Sequence, residues 1–199
     1  DSKGKHPLYT GWYKNSTADM EQIKKWWTKT PNANIGILTG EKSGWLVLDV
    51  DDGGNETLSA LEATHGKLPD TVTAVTGGGG LHYIFKYPEG RSIPNKTKFA
   101  PGLDTRSTGG LIVVAPSIHV SGNRYEWIKD HSPFDRTPAE APEWLLKLME
   151  REEVLLTPFE GSSSIAEIKE GSRNSTLTSL AGTMRARGMT EESIYAALL

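Results

Sequence analysis

The spacing of apolar positions changes period several times along the 199-residue chain. In TADMEQIKKWWTK, residues 17–29, Ile23, Trp26 and Trp27 fall on one side of a predicted helix, with Thr17 or Asp19 placed to cap it. NIGILTG (34–40) predicts a short strand ending in a glycine turn, and GWLVLDVDD (44–52) a strongly apolar strand. Helical spacing returns in ETLSALEATHG (56–66), where Leu58 and Leu61 face inward and Gly66 stops the helix. TVTAVTG (71–77) alternates like a strand. Beyond its glycine run, LHYIFKY (81–87), LIVVAPS (111–117) and the shorter RYEWI (124–128) do the same. APEWLLKLMEREEVL (141–155) is a helix that tolerates Pro142 in its first turn. Helices lie between the early strands, and later strands follow one another directly. That order favours an α+β or α/β sandwich around one sheet.

The pattern breaks after residue 156. Residues 157–173 are dominated by glycine, serine and charge and are expected to be a linker. Residues 174–188 and 190–199 then predict two short helices, the second capped by Thr190. Two such helices make no core alone, so 174–199 is expected to be the start of a small helical domain, with 1–156 as the main domain. The chain starts at Asp1 and stops inside a helical pattern, so it is expected to be a fragment of something longer, monomeric as it stands.

Composition narrows the chemistry. A hydrophobic content of 36% with six tryptophans supports a folded core. The net charge of -3 counts against a purely electrostatic nucleic-acid binder but leaves room for a local basic channel. With no cysteine, disulfides, thiolate zinc sites and cysteine nucleophiles are excluded. No apolar run approaches the roughly 18 residues of a membrane span, and no signal peptide is visible.

The acidic end of LVLDVDDGG (46–54) is the first chemical signal. In a strand Asp49 and Asp51 share a face, roughly 6.5–7 Å apart along the backbone. Two like charges held there repel unless a cation lies between them, and a hard ion such as Mg²⁺ or Mn²⁺ prefers oxygen ligands. Asp52 points the other way and Gly53–Gly54 turn the chain. A solvated acidic loop explains the same residues. Asp104, in PGLDTRSTGGLIVVAPS, offers a third carboxylate, although with Arg106 on the same face it also fits a plain salt bridge. Three carboxylates together would give the two-metal arrangement used in phosphoryl or nucleotidyl transfer.

VTGGGGLHYIFK is the second signal. Its glycines precede a strand and not a helix, so it is no dinucleotide fingerprint. The bare N–H groups of Gly79 and Gly80, with His82 and Lys86 on the following strand, suit a triphosphate; a hairpin loop with an incidental histidine is the plainer alternative. Residues 86–106 carry five basic and two acidic side chains, and Lys96 and Lys98 are the template-backbone candidates unless they are simply solvated. Trp12 and Tyr13 are placed to stack on a base, with a core role equally open to Trp12. His65 and His131 are taken as non-catalytic. His119 with His82 and two aspartates makes zinc conceivable, but the spacing has no compact ligand signature.

In their order and spacing, LVLDVDD, TGGGGLHYIFK and GLDTRSTGGLIVVAPSIH resemble the bifunctional primase–polymerase domain of the archaeo-eukaryotic primase superfamily, over about residues 3–150 with GKHPL, KKWW and NIGILTG included. The resemblance implies an α+β catalytic fold with an RRM-like mixed sheet. It assigns Asp49, Asp51 and Asp104 to catalysis through Mg²⁺ or Mn²⁺, and His82 to the incoming nucleotide's phosphates; Lys86 and Arg106 are looser assignments. Four glycines stand where the family usually has a small polar residue near the histidine. EGSRNSTLTSLAGTMRARGMTEESIYAAL resembles the start of the helical primase C-terminal domain, which often joins the catalytic domain to a helicase. No GxxxxGK[ST] occurs in this chain.

The expectation is therefore a template-dependent DNA primase/polymerase acting on single-stranded DNA template, primer and dNTPs or NTPs. A helicase in the same polypeptide or in trans is the expected partner, and the cytoplasm of a prokaryote, or of a virus's prokaryotic host, the expected setting. Two other readings stay open. One is an aspartyl-nucleophile phosphatase with Asp49 attacking and Asp51 as acid, although Gly53 stands where Thr or Val is usual. The other is a non-catalytic nucleic-acid-binding module of a replication initiator.

Overall fold

The computed structural model describes residues 4–150, so the expected linker and C-terminal helices lie outside the described residues. Its elements run α1 (Trp12–Asn15), α2 (Met20–Lys29), β1 (Ile35–Leu38), β2 (Trp45–Val50), α3 (Gly54–His65), β3 (Val72–Val75), β4 (Leu81–Lys86), β5 (Lys96–Ala100), β6 (Leu103–Arg106), β7 (Leu111–Val114), β8 (Glu126–Trp127), β9 (Ala139–Glu140) and α4 (Glu143–Glu150). Asp19, not Thr17, caps α2: its Oδ1 accepts from the Glu21 and Gln22 N–H groups at 2.8 and 3.3 Å. α3 starts earlier than expected, because Gly53, in the left-handed region at φ 75°, turns the chain straight out of β2. α1, β5, β6 and β9 carry too little apolar periodicity to be seen in the sequence, and RYEWI shrinks to the two residues of β8.

The main sheet has seven strands, in the order β5-β6-β2-β4-β3-β8, with β9 beside β4. Only the β4–β9 pair is parallel, so the sheet is mixed, as the resemblance implies for an α+β catalytic fold. A separate antiparallel ribbon joins β1 to β7. β2 is central and covered on both sides, which is why its apolar run is nearly continuous. Leu46, Leu48 and Val50 pack with Phe85, Leu103, Leu58 of α3 and Leu145 and Met149 of α4. Val47 points to the other face, with Val72, Ile84 and the ribbon residues Ile112 and Val114. Full burial contributes roughly 1.5–3 kcal/mol for each large side chain. Among the described residues no helix is long and apolar enough to cross a membrane.

α4 is also clamped from outside. Arg91, between β4 and β5, donates through Nε and Nη2 to both Glu150 carboxylate oxygens, each at 2.6 Å, and through Nη1 to Glu143 Oε2 at 2.6 Å. The guanidinium holds both glutamates below the ordinary value of 4.5. Groups depressed in this way stabilise the fold above their unfolded pKa and lose that contribution as pH falls through the folded one. Arg91→Ala should therefore melt below wild type at neutral pH, and the gap should close as pH drops below 4.5. A gap that persists in acid would place the Arg91 contribution in packing instead of charge.

Candidate functional site

Strand register assembles the site. Asp49 of β2 lies opposite His82 of β4 on one side and opposite Asp104 of β6 on the other, so three polar side chains form one row across three strands. All three are buried. Asp51 follows the end of β2, and its N–H donates to the Gly102 carbonyl at 2.9 Å, on the turn between β5 and β6. Carboxylate oxygens of Asp49, Asp51 and Asp104 come within 4.8 Å of one another, a set able to hold a metal ion.

Arg106, two residues along β6 from Asp104, reaches into this set. Its Nη2 donates to Asp49 Oδ2 at 3.0 Å and to Asp104 Oδ2 at 2.7 Å. His82 Nε2 sits 3.3 Å from Asp49 Oδ1. Burial pushes the Asp49 carboxyl up, but His82 and then Arg106 outweigh it, so the group stays below the usual carboxylate value. Asp51 goes the other way. Burial raises it first, then the charges of Asp49 and Asp104, with Lys5 and Arg106 opposing. Asp104 is held from the backbone as well: the register of β5 breaks between Lys96 and Ala100, and the Lys98 N–H, at φ 55°, donates to Asp104 Oδ1 at 2.6 Å.

Three converging carboxylates, two of them paired with one guanidinium and the third, Asp51, pushed up by burial and then by the other two, are a donor set of hard oxygens short of positive charge. That fits a divalent cation of the Mg²⁺ or Mn²⁺ kind.

The glycine run is the β3–β4 hairpin loop. Thr76 N–H donates to the Gly80 carbonyl at 2.8 Å, and Gly80 N–H to Thr76 Oγ1 at 3.0 Å. A Cβ at Gly80 would stand 2.3 Å from the Val50 carbonyl oxygen, so glycine lets the loop close onto the end of β2 beside Asp51. Gly79, at φ 90°, is in open space at the tip. His82 Nδ1 is buried with no hydrogen-bond partner among the described residues.

The structure brings together Asp49, Asp51, Asp104, His82, Arg106 and Gly80, with Lys98 joining them through its backbone N–H alone, but not the side chains of the remaining residues singled out from the sequence. Lys86 shares the face of His82 but sits at the far end of β4, paired with Glu140 at 2.9 Å. Lys96 and Lys98 lie on β5, the edge strand next to β6. Trp12 and Tyr13 meet edge to face in α1, with their ring centroids 5.9 Å apart. His119 is absent from the metal-capable set found among the described residues, and its Nδ1 faces Ser121. Sequence reasoning missed Tyr125. It is buried, 6.3 Å ring to ring from His82, and its phenol is raised by burial and then by Asp49 and Asp51. The alternation of RYEWI put it on a predicted strand, but no motif marked it as part of the site.

Residues 1–144 match the family model described as bifunctional DNA primase/polymerase, N-terminal, and residues 162–199 match that of primase C terminal 1 (PriCT-1). A search of the curated proteins finds no match.

Proposed function

The chain belongs to the bifunctional DNA primase/polymerase family, and on that premise we propose that it is a template-dependent primase/polymerase transferring nucleotides from dNTPs or NTPs to a 3′-OH. The observation that carries this reading is the convergence of Asp49, Asp51 and Asp104 on neighbouring central strands and the end of β2. In the reaction the 3′-OH loses its proton to solvent as its oxygen bonds to the α-phosphorus, the α–β anhydride bond breaks, and pyrophosphate leaves with its electron pair. Asp49, Asp51 and Asp104 would hold the Mg²⁺ or Mn²⁺ ions, which when bound activate the 3′-OH and stabilise the departing pyrophosphate.

The protein's own groups set this arrangement. His82 and Arg106 orient and ionise Asp49, and the Lys98 N–H and Arg106 fix Asp104. The glycine loop closes the end of β2. Lys96 and Lys98 on the edge strand are assigned to template backbone, and Trp12 and Tyr13 to base stacking. Single-stranded DNA with a primer is the proposed polymer substrate, and a helicase in the same polypeptide or in trans the proposed partner, within a prokaryotic or viral replication system. The match over residues 162–199 supports the primase part of this reading.

One assay panel tests the reading: single-stranded template with dNTPs or NTPs, Mg²⁺ or Mn²⁺, with and without primer. Template-dependent incorporation is expected. Turnover of small phosphoesters without template would favour an aspartyl phosphatase, and DNA binding with no metal-dependent incorporation would favour a binding module; either outcome would displace the proposal.

A further inference from the structure

Helix α2 has an apolar side and yet buries nothing completely. Ile23, Trp26 and Trp27 share that side, but none of the residues of α2 is buried, nor is any of α1. Trp26 and Trp27 instead line a cavity of about 1100 Å³, together with Gly36, Leu38, Leu111 and Val113 of the β1–β7 ribbon. These four alternate with Ile35, Ile37, Ile112 and Val114, which pack against the main sheet. The ribbon therefore has two apolar faces, and the second of them meets space. More aliphatic surface surrounds it: Leu8, Ile118 and Val120 line the same cavity and are 57%, 48% and 60% exposed. Exposed apolar side chains gathered round a hollow mark a recognition surface. None of Asp49, Asp51, Asp104, His82 and Arg106 lines the cavity, so it is separate from the acid cluster.

Gly36 points the same way from the backbone. A glycine inside a strand weakens it and marks a place where something approaches closely. At the end of the ribbon, Gly40 and Gly110 fit that rule from within the chain, since a Cβ at either would stand 2.3 Å from a neighbouring atom. Gly36 does not. It is exposed, and among the described residues a Cβ there would meet only Leu111 Cδ1, at 3.9 Å. The glycine leaves a notch in an apolar floor.

Charge selects what enters it. Residues 4–34 carry Lys5, Lys14, Lys24, Lys25 and Lys29 against Asp19 and Glu21, in a chain whose net charge is -3. On α2, Lys24 pairs with Glu21 at 2.9 Å, whereas Lys25 and Lys29 are exposed and have no ion-pair partner among the described residues. They stand one helical turn from Gln22 and Trp26, which line the cavity, as Lys5 does directly. A basic rim over an aliphatic floor is complementary to a segment that is both acidic and apolar. A nucleic-acid strand needs successive ring faces along a cationic groove. Here the floor is leucine and valine, and Trp27 is held by its Nε1, which donates to the Ala33 carbonyl at 3.3 Å.

We propose that this cleft is the docking site for an acidic, amphipathic peptide segment of a partner protein. Its apolar side chains enter between α2 and the ribbon over Gly36, and its carboxylates meet Lys5, Lys25 and Lys29. The proposal goes beyond the nucleotidyl-transfer reading and does not depend on it.

The test uses the 199-residue chain as bait for a phage-displayed random peptide library, and the most enriched peptide is then titrated by fluorescence anisotropy. Enriched sequences are expected to combine Asp or Glu with Leu, Ile, Val or Phe. Gly36→Ile fills the notch with a strand-forming residue. It should melt at or above wild type and lose about ten- to a hundredfold in peptide affinity. Lys25→Glu combined with Lys29→Glu, both at exposed positions, should lose about tenfold and show less salt dependence than wild type. The charge pair decides alone should Gly36→Ile melt below wild type. No enrichment, enrichment of peptides without acidic residues, or unchanged affinity in the variants would overturn the proposal. Two other occupants would overturn it as well. Self-association in light scattering that the variants abolish would give the cleft to a second copy of the chain. Weaker binding of a single-stranded oligonucleotide by the variants would give it to nucleic acid. No nucleotide, metal or template enters the peptide titration, so failure of the nucleotidyl-transfer reading leaves its result untouched.

Discussion

Primer extension by the Asp49→Ala, Asp51→Ala double variant should fall by on the order of a thousandfold or more, while the far-UV circular dichroism stays that of the wild type. On the proposed reading the two carboxylates serve the chemistry, and the fold can do without them. Asp51 lies past the last residue of β2 and is exposed, so its loss opens no cavity. Asp49 is buried, but its partners keep alternatives: Arg106 retains Asp104 at 2.7 Å and is itself 26% exposed. The cost falls on His82, whose Nε2 is left buried and unpaired, about 1–3 kcal/mol. A lower melting temperature is expected for that reason, without loss of the sheet, which the apolar side chains on both faces of β2 hold. Asp49→Asn separates the two effects. It preserves a hydrogen-bonding group toward His82 and removes the charge, so stability should recover while extension does not. A double variant that still extends primers would remove these residues from the chemistry.

The parts of this site that were legible in the sequence depend on one strand at a time. β2 announces itself by its apolar run, and period two then puts Asp49 on one face of it. Periodicity identifies a face and says nothing of distance across the molecule, and Lys86 shows the difference. It shares the face of His82, but four residues at about 3.3 Å each carry it roughly 13 Å along the strand. Asp104 was ambiguous in its own segment because its neighbours in the row belong to other strands; register with β2 settles what Arg106 beside it does, which is to bridge Asp49 and Asp104 together. Lys98 was singled out for its charge, whereas the contact it makes on the site is through its backbone N–H, placed by a break in register that side-chain patterning does not encode. Tyr125 is a purely tertiary member of the site, brought against His82 from a segment over forty residues away in the chain.

Glycine shows the same limit, and Gly54→Ala turns it into the second large effect. By helix propensity alone the change is favourable, since alanine exceeds glycine by about 1 kcal/mol within a helix. The structure predicts the opposite sign. A Cβ at Gly54 would stand 2.3 Å from the Gly102 carbonyl oxygen and 2.9 Å from Val50 Cγ1, both part of the packed corner where β2 enters α3. Neither neighbour is a flexible side-chain end, so the backbones must separate, at about 1–3 kcal/mol. That corner also carries the site: Gly102 accepts from the Asp51 N–H at 2.9 Å, and Gly102 is the residue before β6, which bears Asp104. Pushing Gly54 away from Gly102 pulls Asp51 from Asp104. Gly54→Ala should therefore melt several degrees below wild type and lose primer extension at temperatures where it is still fully folded. Asn55→Ala, on the exposed next position of α3, should change neither. A more stable Gly54→Ala would mean that propensity outweighs the contact, and the close approach of the two glycines would then have no part in holding the carboxylates together.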